Sequence, residues 1–308
     1  MKSFRHLAPL LVAVAVLLGL FRLWVPRFLS PENLLDLAQQ IAVNAILASG
    51  MTLVILIGGI DLSVGAVVAL VGTVTVALLP ECGWAAALLG GLAVAAAFGA
   101  MNGVCAAKTR MPPFIITLAT MLMARGVALR FNEGRPLAVP DSERLFLALG
   151  NARLFGALPV PVLLMAAALG LMAVLLHRTR FGQHLYAIGG NREAARFTGI
   201  RIARNEIVVY VLCAALAGLA GVIHASQLYS AEPASGQGFE LNAIAAVVVG
   251  GTSFTGGIGT MPGTLIGAVI IGILDKGLNQ AGVHFSLQYI VKGLVILAAV
   301  YLDVRRRK

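Results

Sequence analysis

Between residues 7 and 303 the sequence is built from long apolar stretches broken by short polar or glycine-rich links. Stretches of about 17–25 apolar residues are the length a helix needs to cross a hydrocarbon core of roughly 30 Å. Ten such stretches are read, at 7–25, 37–57, 63–79, 85–106, 114–131, 160–177, 207–225, 241–255, 262–279 and 287–303. Their apolar surface must meet lipid or other spans, because only 12% of the chain is charged, against about 25% for a soluble protein. The expectation is an all-α, polytopic integral membrane protein with about ten transmembrane helices, forming one domain over 1–308. The 35 glycines suit close approach of helices in a bilayer. The first stretch follows Lys2 and Arg5 but lacks a small-x-small cleavage site, and Arg22-Leu-Trp-Val-Pro follows it. It is read as an uncleaved span.

Charge sets the orientation. With both termini inside, the inner side holds Lys2, Arg5, Lys108, Arg110, Arg178, Arg180, Arg192, Arg196, Arg201, Arg204, Arg305, Arg306, Arg307 and Lys308. The outer side holds Arg22, Arg27, Arg130, Arg135, Arg144 and Arg153. Fourteen against six accounts for most of the net charge of +10, with attraction to anionic lipid as its further consequence. The basic residues are not interleaved with aromatics on one face, so nucleic acid is not an expected partner.

Two polar segments stand outside the spans. In the outer one, 132–159, Asp141 is expected to cap a short helix on which Leu145, Phe146 and Leu149 share a face. That face would lie on lipid or meet a partner. The inner one, 177–206, contains Gly-Gly-Asn191-Arg192-Glu193-Ala194-Ala195-Arg196-Phe-Thr-Gly199. Asn191 is a good N-cap, Glu193 falls in the first turn, and Gly199 stands where a left-handed C-cap belongs. A formed helix on the inner face is a handle for another protein; its other reading is a solvated loop helix.

Chemistry is sparse. The glycine-rich stretch 250–259 has no lysine to reach a phosphate, so it is not a P-loop, and no Gly-x-x-x-x-Gly-Lys-[Ser/Thr] occurs elsewhere. There is no His-Glu-x-x-His, and the five histidines and three cysteines show no metal spacing. No catalytic residue, metal site or cofactor is expected. Residues 54–72 and 247–272 both read as two apolar runs joined by an interrupted glycine turn, a faint internal repeat.

Polar groups at membrane depth are the candidates for a pathway: Asn44, Asp61, Ser63, Asn102, Thr117, Thr120 and Arg125. A central Asp would cost about 2.5–3.5 kcal/mol on insertion. Asp61, with Ser63, therefore either caps the next helix or lines a wet path. Asn44 and Asn102 either join helices or contact a hydroxylated solute. Arg130, Asp275, Lys276 and Lys292 fall nearer outer ends, where snorkelling accounts for them.

Several of these motifs together carry a resemblance. Gly58-Gly-Ile-Asp-Leu-Ser-Val-Gly65, Met111-Pro-Pro-Phe-Ile-Ile-Thr-Leu-Ala-Thr-Met121 with Arg125-Gly126, and Thr179-Arg-Phe-Gly-Gln-His-Leu-Tyr-Ala-Ile-Gly-Gly-Asn191 are similar to segments of the ribose-type ABC importer permeases. So are Glu240-Leu-Asn-Ala-Ile-Ala-Ala-Val-Val-Val-Gly-Gly-Thr-Ser253 and Lys292-Gly-Leu-Val-Ile-Leu-Ala-Ala-Val300. The resemblance covers nearly the whole chain in order. It implies a multi-pass subunit of the bacterial inner membrane that forms a monosaccharide pathway and has no ATPase of its own. It also implies partners: a cytoplasmic ABC ATPase that binds the ATP, a periplasmic sugar-binding protein, and a second permease copy or sister permease. Within it, Glu193-Ala194-Ala195 with Gly199 resembles the coupling segment that engages the ATPase. The chain departs from the pattern at Asp275-Lys276, where Asn-Asn is frequent, and at Asn242, where Asp is common. A proton-coupled secondary sugar transporter using Asp61 is the rival from another class; a membrane enzyme is disfavoured by the missing catalytic cluster.

Overall fold

A computed structural model describes residues 7–305. Lys2, Arg5, Arg306, Arg307 and Lys308, used above to orient the chain, lie outside the described residues. Twelve α-helices follow one another among the described residues: α1 Ala8–Trp24, α2 Pro31–Leu56, α3 Val64–Lys108, α4 Pro113–Arg130, α5 Arg144–Asn151, α6 Val160–Arg178, α7 Arg180–Gly190, α8 Arg192–Phe197, α9 Ile202–Gln227, α10 Phe239–Val249, α11 Met261–Gln280 and α12 Phe285–Arg305. The only strands among those residues are two-residue pieces in short antiparallel ladders, so the all-α reading holds.

Six helical segments are long and apolar enough to cross a membrane, and three shorter apolar helices accompany them. The chain is a multi-pass membrane protein. α3, at 45 residues, would be roughly 68 Å long if straight, more than twice the hydrocarbon thickness. It breaks at Gly83, whose φ of 73° and ψ of 168° are not helical. It folds back so that Gly91 lies against Val71 and Thr75. Two expected spans, 63–79 and 85–106, are the arms of this hairpin.

α9 is the central post. Ala217, Ala220 and Val222 on it are fully buried, and Tyr210 is nearly so. Its contact with α3 depends on small residues. A Cβ on Gly99 would lie 2.6 Å from the Tyr210 carbonyl, and one on Gly103 would lie 2.7 Å from the Ile207 Cα. No side chain fits between backbones this close, and dispersion between the helices replaces the missing hydrophobic drive in lipid.

The expected span 241–255 is corrected. Helix α10 stops at Val249, and 250–260 is an irregular glycine turn. At 11 residues, α10 is about 16 Å long and too short to cross alone. Gly251, Gly256 and Gly257 hold φ of 89°, 88° and 75° there, a region open to glycine at little cost. The turn between α2 and α3 is of the same kind, with Gly58 at φ 80°. The two turns meet: the Gly257 amide donates to the Leu56 carbonyl at 2.9 Å. The end of α7 joins them, because a methyl on Gly189 would overlap both the Leu56 carbonyl and the Gly257 amide. The paired helix–turn–helix units read from sequence are thus neighbours, packed backbone to backbone.

The segment 132–159 is also corrected. Asp141 does not cap α5, which begins at Arg144 after Glu143 with no side-chain cap. Its Phe146 is fully buried while Leu145 is 61% exposed, so the expected shared face is split and its Phe146 side packs on protein. Ser226 of α9 donates to the Phe146 carbonyl at 2.8 Å and accepts from the Gly150 amide at 2.8 Å. A two-residue ladder, Leu137–Ala138 against Ser230–Ala231, ties the same segment to the loop after α9.

Candidate functional site

Two regions stand at opposite ends of α9. At its N-terminal end is α8, built as the sequence indicates. The Asn191 carboxamide oxygen accepts from the Ala194 amide at 2.9 Å, satisfying one of the free N–H groups of the first turn. Gly199 follows with φ of 81°, and the Ile200 amide returns to the Ala195 carbonyl at 3.2 Å, closing the helix C-terminus. Ala195 is buried, so it seats the helix on the bundle and is not part of the outward face. Arg192, Glu193, Ala194, Arg196 and Gly199 are exposed, as is Phe197 at 87%. Sequence reasoning missed Phe197, although an aromatic on a six-residue polar helix is a signal for an interface anchor.

α8 is fastened from behind. Arg192 donates through Nη1 to Oε1 of Glu206, a residue of α9 that is 6% exposed. That carboxylate holds the Arg192 guanidinium above its usual range. Before α8 stands a second helix that the sequence reading did not separate, α7. Thr179 caps it by accepting from the Gly182 amide at 3.3 Å, and a Thr after a long apolar run is a usable start signal.

Four of the seven pathway candidates, Asp61, Ser63, Asn102 and Thr120, form one hydrogen-bonded chain. Thr117 joins the same turn through backbone, and Asp61 Oδ2 is buried without a hydrogen-bond partner. Asp61 Oδ1 accepts from the Ser63 amide at 2.9 Å and from the Ser63 hydroxyl at 2.6 Å. Asn102 donates to the Ser63 hydroxyl at 3.0 Å, and Thr120 donates to Asn102 Oδ1 at 2.6 Å. Thr117 donates to the Ile60 carbonyl at 3.2 Å. All five are 0–1% exposed. They fix the α2–α3 turn against α3's second arm and α4, where buried backbone would otherwise lack partners. Asp61 holds the turn two residues ahead through Ser63 and does not cap α3, which begins after Ser63 with no side-chain cap. Arg125 stands elsewhere, donating to the Pro233 and Ser235 carbonyls at 2.7 and 2.6 Å, and so holds the loop after α9.

Asn44, of the seven, lines a polar cavity. This cavity, about 440 Å³, lies where α2, α10 and α11 meet the C-terminal end of α9. Its polar lining is Asp36, Gln39, Gln40, Asn44, Gln227, Asn242 and Asp275, with His224 and Phe239 beside them. From Ile202 to His224 is roughly 33 Å along α9 at 1.5 Å per residue, so the cavity and α8 lie far apart. A smaller cavity of about 300 Å³ adjoins it through Phe239 and Asn242 and reaches Tyr289 and Lys292 of α12.

Asp275 and Lys292 do not snorkel as expected. They pair at 2.9 Å, with side chains 19% and 22% exposed. Asn242 bridges them weakly, donating to Asp275 at 3.5 Å and accepting from Lys292 at 3.4 Å. Two of the positions where the sequence departs from the permease pattern, Asn242 and Asp275, are therefore direct neighbours.

Comparison with known proteins agrees with this architecture. The family described as the permease component of the branched-chain amino acid transport system matches residues 33–300. The chain belongs to that family and is a transport subunit. More particularly, it is similar to the ribose import permease protein RbsC of Escherichia coli, 46% identical over 300 residues that cover 96% of this chain and 93% of that one. The Bacillus subtilis ribose import permease is 44% identical, covering 94% and 92% of the two chains. The L-arabinose transport system permease protein AraH of Escherichia coli is 37% identical, covering 97% and 90%. No solved structure matches the chain. The ribose-type ABC importer permease read from the sequence motifs is the class to which these relatives assign it.

Proposed function

We propose that this chain is the permease subunit of an ATP-driven, binding-protein-dependent importer of a monosaccharide, ribose or a closely related sugar. The observation that carries this reading is the division of labour along α9. A capped, outward-facing helix sits at one end and a polar cavity at the other. In this reading the α8 end is cytoplasmic and docks an ABC ATPase through Arg192, Glu193, Ala194, Arg196 and Phe197, with Ala195 and Gly199 fixing the helix. ATP is bound by that partner, and this chain carries no cofactor. The cavity end faces the periplasm and receives sugar from a soluble binding protein.

The permease is one transmembrane domain of the bacterial inner membrane with about ten crossings and both termini in the cytoplasm. The two arms of α3 count separately, and α10 with its glycine turn counts as one. It pairs with a second copy or with a sister permease. Against the proton-coupled rival, Asp61 is engaged with Ser63 in the α2–α3 turn and does not line either cavity described above.

The test is uptake of labelled ribose into proteoliposomes holding this permease, its ATPase and its binding protein. Uptake should require ATP and binding protein, and should persist when a protonophore collapses the proton gradient. Uptake that follows the proton gradient and ignores ATP would overturn the reading.

A further inference from the structure

The cavity between α2, α9, α10 and α11 has features that a mere packing gap lacks. Its volume of about 440 Å³ lies within the roughly 300–1,000 Å³ range of small-ligand sites. Two of its polar atoms are buried and have no partner: the carboxamide oxygen of Asn44, an acceptor, and Nε2 of Gln227, a donor. Buried polar atoms are nearly always paired, so unpaired ones call for an occupant. Two neighbouring polar groups are otherwise engaged. Gln39 donates to the Gly150 carbonyl at 2.8 Å, and Asp275 is neutralised by Lys292.

The character of the lining narrows the occupant. The carboxamides of Gln39, Gln40, Asn44, Gln227 and Asn242 each offer a donor and an acceptor, which matches a hydroxyl group. Of the two wall carboxylates, buried Asp275 is paired with Lys292 at 2.9 Å and exposed Asp36 contacts Arg153 at 3.8 Å, so no buried charge is left free for a zwitterion or an ion. Phe239 and His224 stand edge-to-face with ring centroids 5.3 Å apart and supply an apolar patch beside the polar one.

We infer that this cavity is a binding site within the permease for one neutral polyhydroxylic solute, held by a hydroxyl donated to Asn44 Oδ1 and a hydroxyl accepting from Gln227 Nε2. The apolar C–H face of the solute rests against Phe239. The site discriminates against amino acids, whose ammonium would have to compete with Lys292 for Asp275 or with Arg153 for Asp36, and whose carboxylate meets no lysine or arginine among the lining residues. It rests on the sugar-import reading only for the choice of ribose as probe.

The test is a labelling experiment on the full chain in membrane vesicles. Cys82 and Cys105 are replaced by Ser, and Leu228, which lines the cavity and is 45% exposed, becomes the reporter as Leu228→Cys. Cys213 is buried and stays. Excess ribose should slow maleimide labelling of the reporter, and excess leucine should not. Adding Gln227→Leu or Asn44→Leu should each weaken ribose protection roughly tenfold, the value of about one net hydrogen bond. Either variant suffices if the other fails to insert. Labelling indifferent to ribose, labelling slowed equally by leucine, or protection unchanged in both variants would overturn the inference. Loss of ATP-driven uptake in the parent importer with protection intact would sink the transport reading and leave the site standing. Uptake without protection would do the reverse.

Discussion

The ion pair behind α8 gives the most quantitative prediction. Glu206 is 6% exposed, whereas the Arg192 side chain is about half exposed at 50%. Exposed pairs contribute about 0–1 kcal/mol, and removing one partner of a fully buried pair costs about 3–5 kcal/mol. This pair lies between. Arg192→Ala would leave a buried carboxylate without its counter-charge, for a cost of about 1–3 kcal/mol by that interpolation. Glu206→Gln keeps a neutral hydrogen bond to Arg192 and loses only its charge assistance, about 1 kcal/mol. The double variant removes the stranded charge, so it should be more stable than the sum of the two single changes allows.

Two readouts check this. One is thermal unfolding of the purified permease for each member of the double-mutant cycle. The other is sugar molecules moved per ATP hydrolysed in the reconstituted importer, which should drop most in Arg192→Ala because α8 then moves without carrying α9. If Arg192→Ala proves no worse than Glu206→Gln, and the double variant is simply additive, the pair is a surface contact and the reasoning fails.

Other changes probe separate parts. Gly199→Val places a β-branched residue at φ 81° in otherwise open space, so the cost of about 1–2 kcal/mol is backbone strain; transport should fall while membrane insertion, followed by protease accessibility, stays normal. Phe197→Ala should leave permease stability unchanged and weaken ATPase co-purification by roughly tenfold, the loss expected for an exposed aromatic anchor; unchanged association would remove Phe197 from the interface. Asp61→Asn retains an oxygen for the two Ser63 hydrogen bonds, so most uptake should survive, and its abolition in a well-inserted variant would restore Asp61 as a proton or pathway group.

The legible parts of this sequence were those encoded locally. Asn191 with Gly199, and Asp61 with Ser63, are determined by neighbours within a few residues; the structure gives the first pair the cap geometry expected, and the second a local turn in place of the expected helix cap. The apolar stretches located the helices for the same reason. The cavity was not legible, because its lining comes from four helices and, Asn44 apart, each polar residue alone looks like an ordinary helix-end side chain. Asp275 and Lys292 are separated in sequence, so each was assigned to solvent when the actual solution was pairing. Phe146 was read on a stripe meeting lipid or an outside partner because its actual partner, the end of α9, arrives from far along the chain. Asn242 and Asp275 were both noticed as departures, and only the fold reveals that they touch.

The meeting of Gly189, the Leu56–Gly58 turn and Gly256–Gly257 has a mechanical meaning. Joints cushioned by side chains absorb small displacements through rotamer changes. This one has main chain against main chain, with a hydrogen bond across it at 2.9 Å, and so has almost no slack. The two long helices anchored nearest to it are α2, which ends at Leu56, and α11, which follows the Gly256–Gly257 turn. Asn44 on α2 and Asp275 on α11 sit roughly 18 Å and 21 Å further along at 1.5 Å per residue. Both belong to the cavity wall. A stroke delivered to α7 and α8 would therefore pass through a stiff pivot into two levers whose far ends are opposite jaws of the same chamber.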